Sequence, residues 1–286
     1  MKSRKRRSRI VAASLAVVLA AAFAVNLHLN KNVFVSYYQY SSDKVPPEFD
    51  GFKIAVISDV HNSRYYDRII ERLDEQQPDL ILFSGDMIQL PDSDLSNVIK
   101  IAQSQKDKSD MYAVFGNHEA QNGTVIRKQI VSELEESGVS VLANSSAEIT
   151  IGSAKIRLIG IEDSGRERVD DDELGRIADT VEENAAAGDL NLLISHRASL
   201  YPRIKDLAVD LVISGHLHGG VARLPFVGGL FGDGEKKLFP DYTSGVYKEG
   251  DHAAEMIVSC GCDYNPNKMR ICNPPNIPVI TLRTAE

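Results

Sequence analysis

From residue 51 onward, the chain alternates between short apolar runs and amphipathic helical patterns. Residues 52–58 form an apolar run typical of a buried strand, and residues 66–76 place Ile69, Ile70 and Leu73 on one face of a helix. The same alternation predicts further strands at 80–83 and 111–115 and further helices at 95–102 and 125–136. Strands that alternate with helices in this way favour a partly parallel sheet covered by helices.

The second half of the chain is richer in strand patterns. They lie at residues 139–142, 148–151, 156–161, 190–195, 211–214, 255–259 and 279–282. One longer helical pattern, at 170–187, ends before Gly188. We therefore expect a second sheet packed on the first, in one α/β domain at residues 51–286, preceded by a connector and first strand at 30–50.

The N-terminus carries a different pattern. Residues 10–29 contain no Asp, Glu, Lys or Arg, and twenty such residues are enough to cross a bilayer as a helix. The basic segment at residues 1–9 would stay in the cytoplasm, which places the rest of the chain outside. The alternative is a cleaved signal peptide, with Ala22 and Ala24 forming a small-x-small cleavage site, and a secreted protein.

The distribution of charge along the chain bears on which partners the protein can bind. The formal net charge is -8, although the first nine residues contain six of the 32 basic residues and none of the 40 acidic ones. The body of the protein is therefore strongly acidic, which argues against nucleic acid as a partner because binding to a phosphate backbone requires basic residues.

Polar residues of metal-ligand type follow five of the predicted strands. In open α/β sheets such strand ends meet at one edge and form the site. The candidate ligands are Asp59, His61, Asp86, Asn117, His196, His216 and His218. Each has an ordinary explanation when taken alone, such as a turn, a helix cap or a buried histidine. Their joint occurrence at strand ends, however, predicts a metal site.

The composition of this set indicates more than one ion. Two carboxylates, one amide and four imidazoles exceed the needs of a four-coordinate ion and suit two divalent metal ions that share a carboxylate. Mixed nitrogen and oxygen ligands without thiolate fit Mn, Fe or Zn. The cysteines, Cys260, Cys262 and Cys272, lack a familiar zinc spacing, and ordinary thiols, one disulfide and metal binding all stay open for them.

The order of these motifs (D-x-H, GD, GNHE, H and GHxH, from Asp59 to His218) resembles that of the calcineurin-like metallophosphoesterases. With its basic N-terminus and single apolar span, the chain is most similar to the membrane-associated bacterial branch labelled YkuE-like phosphodiesterases. The resemblance covers about residues 51–284 and implies a four-layer α/β/β/α sandwich. It also implies a location at the bacterial cell membrane, with the domain on the extracytoplasmic side.

The resemblance also implies a role for each site residue. One metal would be bound by Asp59, His61 and His218, the other by Asn117, His196 and His216. Asp86 would bridge the two metals, and His118 would lie beside the substrate phosphate as the catalytic residue, oriented by either Glu119 or Asp59.

Two residues depart from the pattern of this branch. Leu217 and Val221 stand where relatives have Thr and Gln. We expect Arg223 and the glycine-rich stretch 226–232 to shape the nearby wall of the site, which bears on substrate specificity.

The implied activity is phosphodiester or pyrophosphate hydrolysis by a metal-bridging hydroxide. The implied substrates are phosphoesters linked to lipid or cell wall, such as UDP-diacylglucosamine. The alternative is a non-catalytic metal-binding or cell-wall-binding protein that keeps the fold.

Overall fold

A computed structural model describes residues 2–166, 168–224, 226–232, 237–263 and 269–285, without the side chains of residues 2–6. Its strands are β1 (Phe34–Ser42), β2 (Lys53–Ile57), β3 (Leu80–Phe83), β4 (Asp110–Ala113), β5 (Val139–Val141), β6 (Ser145–Ile151), β7 (Ala154–Ile161), β8 (Asn191–Arg197), β9 (Leu211–Gly215), β10 (Arg223–Leu224), β11 (Gly228–Gly229), β12 (Gly245–Tyr247), β13 (Glu255–Val258) and β14 (Asn276–Thr284). Its helices are α1 (Lys2–Leu29), α2 (Tyr66–Gln76), α3 (Ser96–Gln105), α4 (Asn117–Ala120), α5 (Thr124–Glu136), α6 (Asp171–Asn184) and α7 (Tyr201–Ile204).

The strands form two six-stranded sheets. The first has the order β1-β14-β2-β3-β4-β5, in which β2 to β5 are parallel and β14 runs antiparallel to β2. The second has the order β12-β13-β9-β8-β7-β6, with β13, β9, β8 and β7 parallel. The short β10 and β11 pair with each other.

Three buried apolar clusters separate four layers. Ile54, Leu82, Leu192 and Ile213 belong to the cluster between the two sheets. A second cluster joins the first sheet to α2, α3 and α5, and a third joins the second sheet to α6 and α7. The fold is thus the predicted α/β/β/α sandwich, and strands buried on both faces explain the continuous apolar runs in the sequence.

The first helix begins at Lys2 and so includes most of the basic segment. Its residues Arg7–Leu29 are long and apolar enough to cross a membrane, and they lie exposed outside the sandwich. At about 1.5 Å per residue they span about 35 Å, slightly more than a hydrocarbon core. Length and composition fit a membrane span and a signal sequence equally well.

The helix ends at the edge of the sandwich where the site residues gather. It leads into β1, whose first residue, Phe34, is paired with Asn276 at the start of β14. The register between β14 and β2 places Asn276 beside the carboxyl end of β2. The end of α1 and the carboxyl ends of β2 to β4 therefore lie at the same edge.

Candidate metal centre

Six of the seven predicted ligands lie in three mutually close groups at this edge of the sheets. Their ligand atoms come within 4.8 Å of one another in each of three sets: Asp59 with His61 and His218; His61 with Asp86 and His118; and Asp86 with His196 and His216. The seventh, Asn117, begins α4 immediately after Gly116, which packs against both Asp86 and His196. Segments that are distant in sequence therefore converge as the strand-end pattern predicts.

Asp86 lies in the middle of the histidines. Its Oδ2 is 3.2 Å from His196 Nε2, 4.0 Å from His61 Nε2 and 3.9 Å from His118 Nε2. Burial alone would raise the pKa of Asp86, but the neighbouring imidazoles, His196 above all, hold it well below its ordinary value. The carboxylate is therefore ionised and attracts cations.

Five of the seven predicted ligands have a left-handed backbone, at φ between 45° and 77°: Asp59, His61, Asp86, His216 and His218. A residue with a Cβ in this region costs on the order of 1–3 kcal/mol, so such residues persist where the surroundings impose the conformation, and they cluster at functional sites. The backbone conformation thus indicates a functional site at the same residues as the side-chain chemistry does.

Hydrogen bonds at Nδ1 fix the orientation of three of these histidines. His61 Nδ1 lies 3.1 Å from the carbonyl of Ile88, and His196 Nδ1 lies 2.7 Å from the carbonyl of Ser84. His218 Nδ1 lies 3.1 Å from Asp263 Oδ1. Because these partners accept hydrogen bonds, each Nδ1 carries the proton and Nε2 is directed at the site, the arrangement that metal-binding histidines show.

His61 Nε2 and His218 Nε2 face each other at 3.2 Å, where two lone pairs would repel. Burial and His218 lower the pKa of His61 to about 4, whereas Asp263 and Asp59 outweigh burial and raise the pKa of His218. A cation held between the two nitrogens would remove this repulsion.

Other buried ligand atoms are left unsatisfied. Within the described part of the chain, Asn117 Oδ1 and both ring nitrogens of His216 are buried without a hydrogen-bond partner. Such groups are costly unless something binds them. The donor set, made of carboxylate, amide and imidazole atoms, fits divalent cations.

His118 differs from these histidines. Its Nδ1 accepts a hydrogen bond from the backbone N–H of Leu90 at 3.2 Å. The proton of a neutral His118 must then be on Nε2, which faces Asp86. Burial lowers the pKa of His118, which also favours this neutral form. The ring thus presents a hydrogen-bond donor to the site rather than a lone pair.

Neither residue expected to orient His118 bonds to its ring. The Glu119 carboxylate instead accepts hydrogen bonds from the backbone N–H groups of Asp86, Met87, Ile88 and Gly116, at 2.7–2.9 Å. It thereby holds the loop after β3 in place. Asp59 accepts from the backbone N–H of His216, at 3.1 and 3.2 Å.

Two further residues lie at the site but were not among those predicted from the sequence, Asp263 and Arg270. Asp263 bonds both to His218 and to the buried Arg270, and Arg270 Nη1 donates to the carbonyl of Cys260 at 2.7 Å. A usable signal was present, since Asp263 lies just beyond β13, the same strand-end position that revealed the other candidates. Arg270 gave no such signal, because it lies far along the chain from the carboxyl end of any strand at this edge.

Arg270 also connects the site to α1. Asn26 and Asn30, at the end of the helix, donate from Nδ2 to the carbonyl of Arg270 at 2.8 and 2.5 Å. The backbone N–H of Cys272 donates to Asn26 Oδ1 at 2.8 Å. Hydrogen bonds through Arg270 and Asp263 therefore connect the end of the helix to His218.

The segment predicted to form a wall packs beside these histidines. Arg223 Nη1 donates to the carbonyl of Gly219 at 3.1 Å, and Gly229 packs against Gly220. Leu217, one of the two departures from the branch pattern, is buried. Cys260 and Cys262 are buried and Cys272 is exposed, and all three are free thiols.

Gly215 is one of the glycines at which the site tolerates no side chain. A Cβ there would overlap Ser58 Oγ and lie 2.5 Å from Asp59 Oδ2. We expect Gly215→Ala to lower the free energy of unfolding by about 1–3 kcal/mol through overpacking. Gly175 in α6 has open space around it, so Gly175→Ala should instead raise it by about 0.5–1 kcal/mol. Thermal unfolding of the two variants measures this; an unchanged midpoint in Gly215→Ala would contradict the packing.

The part of the chain that forms this edge of the sandwich is similar to a known protein family. The family profile described as calcineurin-like phosphoesterase matches residues 52–220, which include all seven predicted ligands. The chain belongs to the calcineurin-like phosphoesterase family. It is therefore a metal-dependent phosphoesterase, a hydrolase.

Its relatives in the family include the bacterial branch predicted above. The metallophosphoesterase YkuE of Bacillus subtilis is 28% identical over 253 residues, which cover 85% of this chain and 83% of the relative. A metallophosphoesterase of Aquifex aeolicus is 30% identical, covering 87% of this chain and 91% of the relative. The phosphodiesterase YaeI of Escherichia coli is 29% identical, covering 70% and 72%.

Solved structures agree on the fold alone. The NAD nucleotidase of Haemophilus influenzae superposes with a TM-score of 0.50 at 15% identity, over 73% of this chain. This chain spans less than half of that nucleotidase, 45% of its length.

Proposed function

We propose that the candidate centre binds two divalent cations. Asp59, His61 and His218 would hold one, and Asn117, His196 and His216 would hold the other, with Asp86 shared between them. His118 is not among these ligands, because its hydrogen bonding is the opposite of that of the other histidines. Three Nε2 lone pairs are directed at the site, whereas His118 presents an N–H donor.

Two cations bound in this way would lower the pKa of a shared water towards about 7 and neutralise phosphoryl oxygens. The chain's own residues supply the rest. A neutral His118 would donate a hydrogen bond from its Nε2–H to a phosphoryl oxygen and so stabilise the charge that develops there. Leu90 and the loop held by Glu119 keep that donor beside Asp86. Asp263 and Arg270 keep the His218 ring in orientation.

We take the substrate to be a phosphodiester or pyrophosphate of the cell envelope, linked to lipid or cell wall, as in UDP-diacylglucosamine-type lipids. The name of YaeI as a phosphodiesterase supports the diester bond. The exposed apolar helix supports an envelope location, with α1 retained as an anchor and the domain on the extracytoplasmic side of a bacterial membrane.

Metal removal tests this function. Full-length protein loaded with Mn, Fe or Zn should hydrolyse bis-p-nitrophenyl phosphate faster than p-nitrophenyl phosphate. Dialysis against a chelator should abolish both activities, because the ligands cannot activate water by themselves. Adding the metal back should restore activity as the bound content rises towards two ions per chain. Full activity in protein that elemental analysis shows to be free of metal would exclude the proposal.

A further inference from the structure

The segment after the GHxH motif is unusually apolar at its surface. Phe226 is fully exposed, and five other large apolar side chains are 46–62% exposed: Leu224, Val227, Phe231, Leu238 and Phe239. We call the described residues of 221–239 the apolar loop. Solvent-exposed phenylalanines in such number are unfavourable in water and mark a surface that meets another apolar medium.

This exposure is concentrated at one place. Outside α1, the described residues include twelve exposed large hydrophobic side chains, and eight of these lie within residues 224–239 and 269–271. The two segments are joined, since the backbone of Ile271 bonds to Val221 and Arg223. Met269 and Ile271 therefore extend the same apolar surface.

The apolar loop lies beside the end of α1. Residues 270–272, which bond to the loop, also bond to Asn26 and Asn30 of the helix. The apolar loop begins shortly after His218, whose carbonyl accepts a hydrogen bond from Asn273 Nδ2 at 2.6 Å. Helix end, apolar loop and candidate centre are thus held together through one short segment.

A helix that crosses a bilayer fixes the position of its own end at the membrane surface. Residues bonded to that end must lie at the same level. The apolar loop is therefore carried to the lipid, whereas the far end of β1, at Ser41, lies about 23 Å along the strand from Phe34.

We propose that the apolar loop inserts into the lipid surface beside the anchor, so that the candidate centre opens at the bilayer. Phe226, Phe231 and Phe239 would enter the boundary between headgroups and acyl chains, as apolar side chains of interfacial proteins do. A membrane amphiphile with its phosphoester at headgroup level then reaches the centre without leaving the bilayer. The insertion rests on the proposed retention of α1 and is independent of the proposed metal chemistry.

The chain contains no tryptophan, so a single introduced tryptophan reports its own surroundings. Full-length Phe226→Trp would be placed in phosphatidylcholine nanodiscs, with or without brominated acyl chains. We expect blue-shifted emission and about twofold or greater quenching by the brominated lipid, because interfacial side chains lie about 5–10 Å deep. Ser41→Trp, exposed at the opposite edge, is the matched control and should be unaffected.

The emission and quenching of the two tryptophans show whether the apolar loop contacts lipid, water or another copy of the protein. Red-shifted, unquenched emission from Phe226→Trp would show a loop in water, and blue-shifted but unquenched emission would show contact with another protein copy; either overturns the insertion. Equal quenching of both tryptophans would mean that the protein lies flat on the lipid, which also overturns it. Repeating the measurement after chelation separates the two proposals, because lipid insertion should persist when hydrolysis is lost.

Discussion

Replacing Asp86 by alanine is expected to reduce kcat/KM by at least about a thousandfold, or about 4 kcal/mol of transition-state stabilisation. The carboxylate lies between His196 and His61, at 3.2 and 4.0 Å, and among the described residues it is the carboxylate that groups with ligands of both proposed cations. Its loss would remove a ligand from each cation. Metal content, measured by elemental analysis, should fall from two ions per chain to one or none.

A control is needed because a substitution at a buried position such as Asp86 can also unfold the protein. Asp92 lies on the same loop but is exposed, so Asp92→Ala should keep normal activity and metal content. Circular dichroism would show whether Asp86→Ala stays folded. A folded Asp86→Ala variant with two bound ions and normal turnover would disprove the shared role of this residue.

Replacing His118 by alanine should slow turnover at least a hundredfold and leave metal content unchanged. Removing one hydrogen-bond donor to a developing oxyanion costs about 10²–10³ in kcat, and the Nε2–H of His118 is the donor that faces Asp86. Its ring is directed by the N–H of Leu90 to donate rather than to bind a cation. Steady-state kinetics and elemental analysis on the same preparation measure both effects.

The leaving group separates proton transfer from simple positioning. A neutral His118 that donates a hydrogen bond to a phosphoryl oxygen should be worth a similar factor for an alkyl phosphodiester and for a p-nitrophenyl diester. A clearly larger loss for the alkyl substrate in His118→Ala would instead show that a protonated His118 transfers a proton to the leaving oxygen. His118→Gln keeps a hydrogen-bond donor and should recover part of the lost activity on both substrates. Loss of metal together with activity in His118→Ala would mean that this histidine is itself a ligand.

Much of this site was predictable because parallel strands end together. Asp59, Asp86 and Asn117 follow β2, β3 and β4, and His196 and His216 lie at the ends of β8 and β9. Buried strands leave long apolar runs in the sequence, so polar residues at their ends stand out. The two packed sheets follow from the same runs, whereas the four layers were expected from the family resemblance, and most predicted boundaries lie within three residues of the observed ones.

The remaining parts depend on tertiary contacts that leave no local pattern. The sequence allowed Glu119 or Asp59 to orient His118, but the orienting group is the backbone of Leu90, which has no side-chain signature. Arg270 reaches Asp263 and His218 from a segment without regular structure. The short strands β10 to β12 are likewise set by pairing rather than by periodicity.

The bonds from Asn26 and Asn30 to the carbonyl of Arg270 bear on how the protein matures. A leader peptidase acting after Ala24 would leave Val25 as the new amino terminus, and both asparagines would remain on the released enzyme. Trimming past Asn30 would instead free the backbone of Arg270, the residue that braces Asp263 against His218. The boundary chosen by a processing protease, or by an experimenter shortening the gene, therefore determines whether this brace survives.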